Sequence, residues 1–338
     1  MKNNAFITGV TGMVGSHLLD FLLKNTDWEI HGLLRWRSPI DNITQHVDSI
    51  NCKDRIYLHY GDITDYSSLK KIFKSFKFDY VFHLAAQSYP KTSFDSPANT
   101  YETNVIGTEN VLKCCLEYAS KATIHNCSSS EVFGRVPKEF VPINEKTPFH
   151  PASPYAISKC SADLIGRFYA EAYNLRVLTT RMFTHTGPRR GDVFMESTFA
   201  KQIALIERGY LPPVVKTGNL DSVRTIADVR DAVRAYFILV NSKHIPNGSV
   251  FNIGGSFTCK VGDILDTLLS MSNKKGISHE IDPERIRPID ADLQIPDISK
   301  FKSMTNWEPL ISFEKTMQDL LDYWRDRIER NGNSFLQR

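Results

Sequence analysis

Tyr155 and Lys159 have the side-chain types and the spacing that could perform acid–base chemistry. On a helix, residues four apart share one face at about 5–6 Å, so the Lys159 ammonium would lie beside the Tyr155 phenol. A cation in that place favours the phenolate and lowers the pKa of the phenol from its ordinary value of about 10. The spacing predicts a tyrosine that works as a base near neutral pH, although a solvated helix face can carry the same two residues without any chemistry.

The residues just before this pair predict the helix that would position them. Ser153 is a favoured N-cap residue, and Pro154 is favoured at the first helical position. The positive end of the helix dipole would then help to stabilise a negative charge on Tyr155.

A glycine-rich turn near the N-terminus predicts a dinucleotide site. The apolar run 5–8 is typical of a strand and 16–24 of an amphipathic helix. Glycines between such elements allow a close approach of the backbone to a pyrophosphate, which the helix N-terminus stabilises. The alternative is a turn whose glycines only ease packing. The expected cofactor contacts here are Gly9, Thr11, Gly12, Met13, Val14 and Gly15.

The residues after the second and third strands bear on which dinucleotide is bound. The strand 29–34 is followed by Arg35, where an NAD-binding protein usually carries an acidic residue for the ribose. An arginine there accommodates a 2′-phosphate, so NADP is predicted; a solvated arginine or a subunit contact is the alternative. Asp62 and Ile63 are expected near the adenine, although Asp62 also suits an Asx-type turn.

Alternating strands and helices over the first half of the chain predict the fold. The pattern is typical of the α/β class, with a Rossmann-type doubly wound parallel sheet and a smaller C-terminal α/β substrate-binding domain. Ligands bind such sheets outside the carboxyl ends of the strands. Two further strand ends should line the same crevice, with Leu84, Ala85, Ala86 and Ser88 after one and Ser129, Ser130 and Glu131 after the next. We expect residues 1–182 to bind the cofactor, 183–330 mainly the substrate, and 331–338 to form a frayed tail.

Composition and charge narrow the classes of partner. The 338 residues carry a net charge of +3 without a dense basic run, which argues against nucleic acid. None of the six cysteines has the spacing of a zinc site, so we expect free thiols in a reducing compartment and no metal. No apolar run approaches the length of a membrane span and no signal segment is visible, so a cytoplasmic protein is expected.

Together these residues describe an oxidoreductase centre beside an NADP site. Tyr155 as the phenolate can remove a proton from a sugar hydroxyl while Ser129 orients the same oxygen and a hydride passes to the nicotinamide. A ketone at carbon 4 acidifies the hydrogen on carbon 5, where Glu131 as a general base could drive the loss of water from carbon 6. The alternatives are strand-end capping by the serines and a surface carboxylate at Glu131.

Several motifs resemble the extended short-chain dehydrogenase/reductase family, and more closely its nucleotide-sugar 4,6-dehydratases of the GDP-mannose type. The common core consists of the glycine turn, Ser-Ser-Glu at 129–131 and the Tyr155/Lys159 pair. Pro-Arg-Arg-Gly at 188–191 and Gly-Asn-Leu-Asp at 218–221 are similar to the GDP-mannose subgroup. The resemblance covers nearly the whole chain.

The resemblance implies a lyase that regenerates its NADP in each turnover, by oxidation at carbon 4, elimination of water across carbons 5 and 6, and hydride return to carbon 6. It implies Ser129, Glu131, Tyr155 and Lys159 as catalytic residues, with the last two also touching the cofactor. Arg189 is expected at the cofactor, and a GDP-sugar is expected to contact Ser88, Ser130, Thr184, Val193, Lys201, Lys216, Arg224 and Arg287. The family also implies a homodimer or homotetramer in which the connection 35–52 reaches a neighbouring subunit's cofactor site.

Departures from the family pattern bear on the sugar. The family usually has Asn where this chain has Thr184, and Arg-Asp-Trp where it has Arg-Thr-Ile at 224–226. Smaller and less polar side chains would leave more room around carbon 6. The predicted substrate is therefore GDP-mannose or GDP-D-glycero-manno-heptose. Ser129 stands where Thr is usual, a change that keeps the hydroxyl.

Two other functions stay open from the sequence. An NADPH-dependent reductase of a GDP-4-keto-6-deoxy sugar, or an epimerase, would use the same scaffold and would not need Glu131. A cofactor-sensing regulator without turnover would need none of the catalytic residues, whose joint presence disfavours it.

Overall fold

Apolar runs of the chain form strands in the computed structural model, which describes residues 2–286, 291, 293–332 and 334. β-Branched and aromatic side chains in these runs favour extended backbone. In chain order the strands are β1 (Asn4–Thr8), β2 (Glu29–Leu34), β3 (Ile56–Tyr60), β4 (Tyr80–His83), β5 (Thr123–Ser129), β6 (Val177–Met182), β7 (His185–Thr186), β8 (Val214–Thr217), β9 (Val223–Asp228), β10 (Val250–Ile253), β11 (Phe257–Lys260), β12 (Ser278–Ile281) and β13 (Leu293–Gln294).

Within the described residues, seven of these strands pair in parallel in the order β10-β6-β5-β4-β1-β2-β3. The direction of winding reverses between β1 and β4, where Thr8 lies opposite His83. Sheets of this kind bind ligands at that reversal, outside the carboxyl ends of the strands. The predicted Rossmann-type fold is confirmed.

Helices connect the strands and cover the sheet. The α-helices are α1 (Met13–Asn25), α2 (Val47–Asn51), α3 (Tyr66–Ser75), α4 (Pro90–Asp95), α5 (Pro97–Tyr101), α6 (Gly107–Tyr118), α7 (Pro154–Tyr173), α8 (Met195–Glu207), α9 (Val229–Asn241), α10 (Val261–Ser270), α11 (Ser299–Thr305) and α12 (Phe313–Asn331). Short 3₁₀ turns occur at Asp41–His46, Ser130–Phe133, Lys138–Phe140 and Pro283–Arg285. Among the described residues, none of the helices has both the length and the apolar character that a membrane crossing requires.

Apolar side chains pack against both faces of the sheet. Ala5 and Ile7 of β1 belong to one buried cluster, together with residues of α1 and α9. Phe6 belongs to another, with residues of α3 and α6, as the alternation of side chains along a strand requires. Strand β10 and helix α9 come from the second half of the chain and nevertheless complete this layer.

The C-terminal unit packs around a separate apolar cluster. Strand β9 pairs with β7, β11 and β13, and β8 pairs with β12. Helices α8, α10 and α12 enclose Phe199, Leu265, Leu320 and Trp324. These elements form a smaller α/β unit, whose role in binding the substrate stays a prediction. Helix α12 ends at Asn331, and most of the expected tail 331–338 lies outside the described residues.

A π turn, Glu102–Ile106, separates α5 from α6. Asn104 lies in this turn, and its side chain bonds to both backbone groups of Gln87: the Gln87 N–H donates to Asn104 Oδ1 at 2.8 Å and Asn104 Nδ2 donates to the Gln87 carbonyl at 2.9 Å. Turns of this kind are frequent at functional sites. The turn thus fixes the segment that follows β4.

The connection 35–52 contains a 3₁₀ turn and helix α2. Ile43 is buried in the core of its own subunit, and Asn42 Nδ2 donates to the Thr11 carbonyl at 2.9 Å. His46 pairs with Asp20 of α1. Much of this connection therefore packs on its own subunit, and its contact with a neighbouring subunit stays a prediction.

A buried ion pair holds α7 on the sheet. Arg181 of β6 donates from Nε to Asp163 Oδ2 at 2.8 Å and from Nη2 to Oδ1 at 3.1 Å, and the Asp163 side chain is 0% exposed. Replacing Asp163 by Asn would leave the buried guanidinium without its counter-charge. We expect the free energy of unfolding, measured in urea, to fall by about 3–5 kcal/mol.

The control for this variant is Asp326→Asn on α12. It breaks an exposed pair with Arg330, in which the two side chains are 66% and 75% exposed. Such pairs contribute at most about 1 kcal/mol. Equal losses in the two variants would contradict a special role for the buried pair.

Candidate active site

A cavity of about 840 Å³ opens at the carboxyl ends of the parallel strands. All of the predicted catalytic residues line it: Ser129, Glu131, Tyr155 and Lys159. The predicted cofactor residues in its lining are Gly9, Thr11, Gly12, Met13, Val14, Gly15, Arg35, Asp62, Ile63, Leu84, Ala85, Ala86 and Arg189. The predicted substrate residues in its lining are Ser88, Ser130, Thr184, Val193, Lys216 and Arg224. The parallel topology therefore brings these distant segments to one place.

One predicted substrate residue, Lys201, is not among the described residues that line the cavity. Lys201 lies on the buried side of α8, where its Nζ is 3.1 Å from Asp192 Oδ2 and its side chain is only 4% exposed. A buried ammonium requires a counter-charge, and Asp192 provides one. The contact of Lys201 with the substrate stays a prediction. Arg287 lies outside the described residues.

The glycine turn has the shape that a pyrophosphate site requires. Gly9 has a φ of +72°, and a Cβ at Gly15 would lie 2.2 Å from the Gly9 carbonyl oxygen. Helix α1 begins at Met13, so its N-terminal residues form part of the cavity wall. Free amides at a helix N-terminus bind phosphate groups.

Replacing Gly15 by Ala is expected to weaken NADP binding by about 10–100-fold, because the added methyl group forces the turn apart. Titration of the dissociation constant by calorimetry would measure this. Gly262→Ala in α10 is the control, since its added Cβ would meet nothing closer than 3.6 Å. An unchanged dissociation constant in Gly15→Ala would show that the turn does not contact the dinucleotide.

Arg35 and Asp62 lie at one end of the cavity and also line a second cleft of about 610 Å³. In this cleft the Arg37 guanidinium lies 4.5 Å from the centre of the Trp36 ring. Asp62 Oδ1 accepts hydrogen bonds from Thr64, at 3.0 Å from its N–H and 2.9 Å from its hydroxyl. Asp62 therefore forms the Asx-type turn that was the alternative to an adenine contact. It also lines the cavity.

Helix α7 begins as the sequence predicts, but the Lys159 side chain has a different partner from the predicted one, Tyr155. The Ala156 N–H donates to Ser153 Oγ at 3.0 Å, which makes Ser153 the N-cap. The Lys159 ammonium donates to the carbonyl of Cys127, and burial lowers the pKa of Lys159 from its ordinary value. The lysine is therefore fixed on the backbone of β5.

The expected lowering of the Tyr155 pKa by Lys159 is corrected. Burial raises the pKa of the Tyr155 phenol above its ordinary value. A hydrogen bond from Ser129 and the charge of Arg190 act in the opposite direction, and burial outweighs both. Ser129 thus interacts with the phenol, and its expected role in orienting the substrate oxygen stays a prediction.

Glu131 lies in the 3₁₀ turn that follows β5. Its backbone N–H donates to Ser129 Oγ at 3.2 Å, so the serine also caps this turn. The carboxylate is half-buried in the cavity wall. The negative charge of Glu131 adds to burial, which is the largest cause, in raising the pKa of Tyr155. A carboxylate and a phenol therefore face the same space.

The two adjacent arginines at 189 and 190 serve different parts of the cavity. Arg189 Nη2 lies 2.7 Å from Asp20 Oδ2 on α1, beside the glycine turn. The Arg190 guanidinium lies 3.5 Å from the centre of the Phe194 ring, and its Nε is 3.3 Å from Glu196 Oε1. No role was predicted for Arg190 from the sequence, although it lines the cavity. Its place beside Arg189 was the one available signal.

Comparisons with known proteins agree with this architecture. A family model described as GDP-mannose 4,6 dehydratase matches residues 6–320. Of solved structures, RMD from Pseudomonas aeruginosa complexed with NADPH has a TM-score of 0.82 at 27% identity, covering 96% of this chain and 100% of that one. dTDP-glucose 4,6-dehydratase from Bacillus anthracis in complex with NAD has a TM-score of 0.81 at 25% identity, covering 97% and 98%.

Relatives share more of the sequence. The chain is 34% identical to GDP-mannose 4,6 dehydratase of Drosophila melanogaster, over 94% of this chain and 85% of that protein. It is 30% identical to GDP-mannose 4,6 dehydratase of Homo sapiens, over 98% and 94%. A family match over most of the chain and relatives of this similarity lead to one conclusion: the chain belongs to the GDP-mannose 4,6-dehydratase family.

Proposed function

We propose that this protein is an NADP-dependent GDP-sugar 4,6-dehydratase, a hydro-lyase. The observation that supports this most directly is the convergence of Ser129, Glu131 and Tyr155 on one cavity with the glycine turn. A reductase on the same scaffold needs a dinucleotide and a proton-transferring tyrosine, but no acid beside them. The names of the relatives support the same reaction.

The residues present fit NADP. Glycine at position 15 lets the turn close, since a Cβ there would lie 2.2 Å from the Gly9 carbonyl oxygen. The N-terminus of α1 beside this turn would bind the pyrophosphate, and Arg35 would bind the 2′-phosphate. The small side chains of Ala85 and Ala86 would leave room along the opposite wall. When bound, NADP supplies the chemistry that takes a hydride from carbon 4 of the sugar and returns it to carbon 6.

The first task of the chain is proton removal at the carbon-4 hydroxyl. Tyr155 would accept this proton, and Ser129, which already interacts with the phenol, would orient the same oxygen. Lys159 would hold its positive charge near the site through its bond to the Cys127 carbonyl. Burial of the cavity strengthens these interactions because the local dielectric is low.

The second task is elimination, for which we propose Glu131. Its carboxylate would take the proton from carbon 5, the electron pair would form the bond between carbons 5 and 6, and the bond from carbon 6 to its hydroxyl would break. The same carboxyl group would return its proton to the departing hydroxyl, which leaves as water. A single half-buried acid in the cavity wall can perform both transfers.

We propose GDP-mannose or GDP-D-glycero-manno-heptose as the substrate, and Thr184 as a residue that bears on the choice. Lys216 and Arg224 line the cavity and would meet the diphosphate. Incubation of the protein with each GDP-sugar and catalytic NADP, without added reductant, tests the function by mass spectrometry. Loss of one water molecule from either GDP-sugar supports the proposed function. The GDP-sugar that loses water faster is the preferred substrate. Reduction of a 4-keto sugar by NADPH without any water loss would show a reductase instead.

Replacing Arg35 by Ala is expected to weaken NADP binding by about 10–100-fold and to leave NAD binding nearly unchanged, because only NADP carries the 2′-phosphate. Calorimetric titration with both dinucleotides measures this. Arg37→Ala is the matched control, since Arg37 lies over Trp36 in the neighbouring cleft. Equal effects on both dinucleotides would contradict the assignment to Arg35.

A further inference from the structure

A continuous chain of buried hydrogen bonds runs beneath the cavity. Its members are Thr8 at the end of β1, His83 at the end of β4, Thr108 of α6, Asn104 of the π turn and Ser158 of α7. We call this set the His83 chain. All of its members are buried, with exposed fractions of 4% or less. The proposed mechanism uses none of them.

The first part of the His83 chain fixes the cavity wall. Thr8 Oγ1 accepts hydrogen bonds from the N–H groups of Leu84 and Ala85, both at 3.0 Å. These two bonds occupy its lone pairs, so its single proton is left for His83 Nδ1, at 3.0 Å. The backbone of Ala85 is also the neighbour that a Cβ at Gly9 would meet first, at 3.0 Å.

The second part leads to the helix of Tyr155. The Thr108 hydroxyl donates to the Asn104 carbonyl at 2.6 Å, so it must accept from His83 Nε2, at 3.0 Å. Asn104 Nδ2 donates to Ser158 Oγ at 2.9 Å. The Ser158 hydroxyl in turn donates to the Tyr155 carbonyl at 2.7 Å.

These bonds allow one form of the imidazole. His83 must be neutral, with its proton on Nε2 and a bare Nδ1, because a proton on Nδ1 would face the proton of Thr8. Burial and the charge of Lys159 keep it neutral, since together they lower the pKa of His83 to about 3. Every polar group of the imidazole is then satisfied.

We propose that His83 is a positioning residue that couples the wall beside the glycine turn to the helix that carries Tyr155. His83 does not line the cavity, and it acts through Thr8 on Leu84 and Ala85 and through Thr108 on the π turn. The inference rests on the proposed function only in taking the cavity as the NADP site.

His125 offers a matched control on the neighbouring strand β5. It is also buried, with an exposed fraction of 0%, and its Nε2 lies 2.8 Å from the hydroxyl of Thr180. Burial lowers its pKa to about 3 as well. It does not line the cavity and no bond links it to the His83 chain. A purely structural role for His83 therefore predicts equal effects of the two Asn variants.

The test compares His83→Asn with His125→Asn by the NADP dissociation constant and by hydrogen exchange of the amides of Leu84, Ala85 and Gln87. We expect His83→Asn to weaken NADP binding by about 5–100-fold and to accelerate exchange at these amides, whereas His125→Asn changes neither. Equal effects of the two variants would overturn the proposal. The exchange measurement tests the proposal even if the protein binds no NADP. A failure to bind NADP would refute the proposed function and leave the role of His83 to be decided by the exchange rates.

Two further measurements keep the proposal falsifiable if His83→Asn does not fold. Nitrogen NMR of the histidines in the intact protein should show His83 with its proton on Nε2 at neutral pH, and a proton on Nδ1 would overturn the proposal. Thr108→Val should weaken NADP binding and accelerate the same exchange, and Thr108→Ser, which keeps the hydroxyl, should restore both. Equal behaviour of the Val and Ser variants would also overturn it.

Discussion

Replacing Tyr155 by Phe is expected to slow water loss from the GDP-sugar by about 10²–10⁴-fold, because the variant removes the group that accepts the substrate proton and keeps the ring. NADP binding should change by less than about twofold, since hydrogen bonding through the phenol is not needed to hold the pyrophosphate. Mass spectrometry measures the rate, and calorimetry measures the binding.

The control for this variant lies on the same helix. Tyr169 donates from its hydroxyl to Glu109 at 2.6 Å and does not line the cavity. Tyr169→Phe should therefore leave the rate within about twofold of the parent protein. If Tyr155→Phe behaved like Tyr169→Phe, Tyr155 could not be the base.

The pH dependence of the same reaction follows from the buried phenol. Burial raises the pKa of Tyr155, so the phenol is still mainly protonated at neutral pH and the phenolate fraction increases only as the pH rises above it. The rate of the parent protein should accordingly increase with pH above neutrality, up to the pH at which the protein unfolds. This rise should be absent from the residual rate of Tyr155→Phe.

The sequence was sufficient to predict the fold and the convergence of the strand ends. Apolar runs alternate with amphipathic helices, and parallel winding then brings Gly9, Ala85 and Ser129 to one edge of the sheet. Ser153 could also be identified as an N-cap, because capping depends on adjacent residues only. These features follow from local patterns and from general rules of topology.

Contacts between distant segments could not be predicted in this way. The helix spacing placed Lys159 near Tyr155, but its ammonium is directed by the carbonyl of Cys127 on another strand. In the sequence, Lys201 cannot be distinguished from a lysine that binds a phosphate group. Only the structure shows that it pairs with Asp192. His83 appears in an apolar run, and its partners come from elements far away in the chain.

Glu131→Gln is expected to separate the two halves of the proposed reaction. Glutamine keeps the size of the side chain but cannot accept the proton from carbon 5, so water loss should fall by about 10²-fold or more. Tyr155 and Ser129 are unchanged, and oxidation at carbon 4 should still occur. With protein and NADP in equal amounts, the absorbance of NADPH should then appear and persist.

The exposed Glu139 in the turn Lys138–Phe140 provides the control, and Glu139→Gln should leave water loss within about twofold of the parent rate. If Glu131→Gln also kept the parent rate, another group would have to be the acid–base residue of the elimination. If it lost NADPH formation together with water loss, Glu131 would act before the elimination, on the carbon-4 hydroxyl or on Tyr155. Only persistent NADPH without water loss places Glu131 at the bond between carbons 5 and 6.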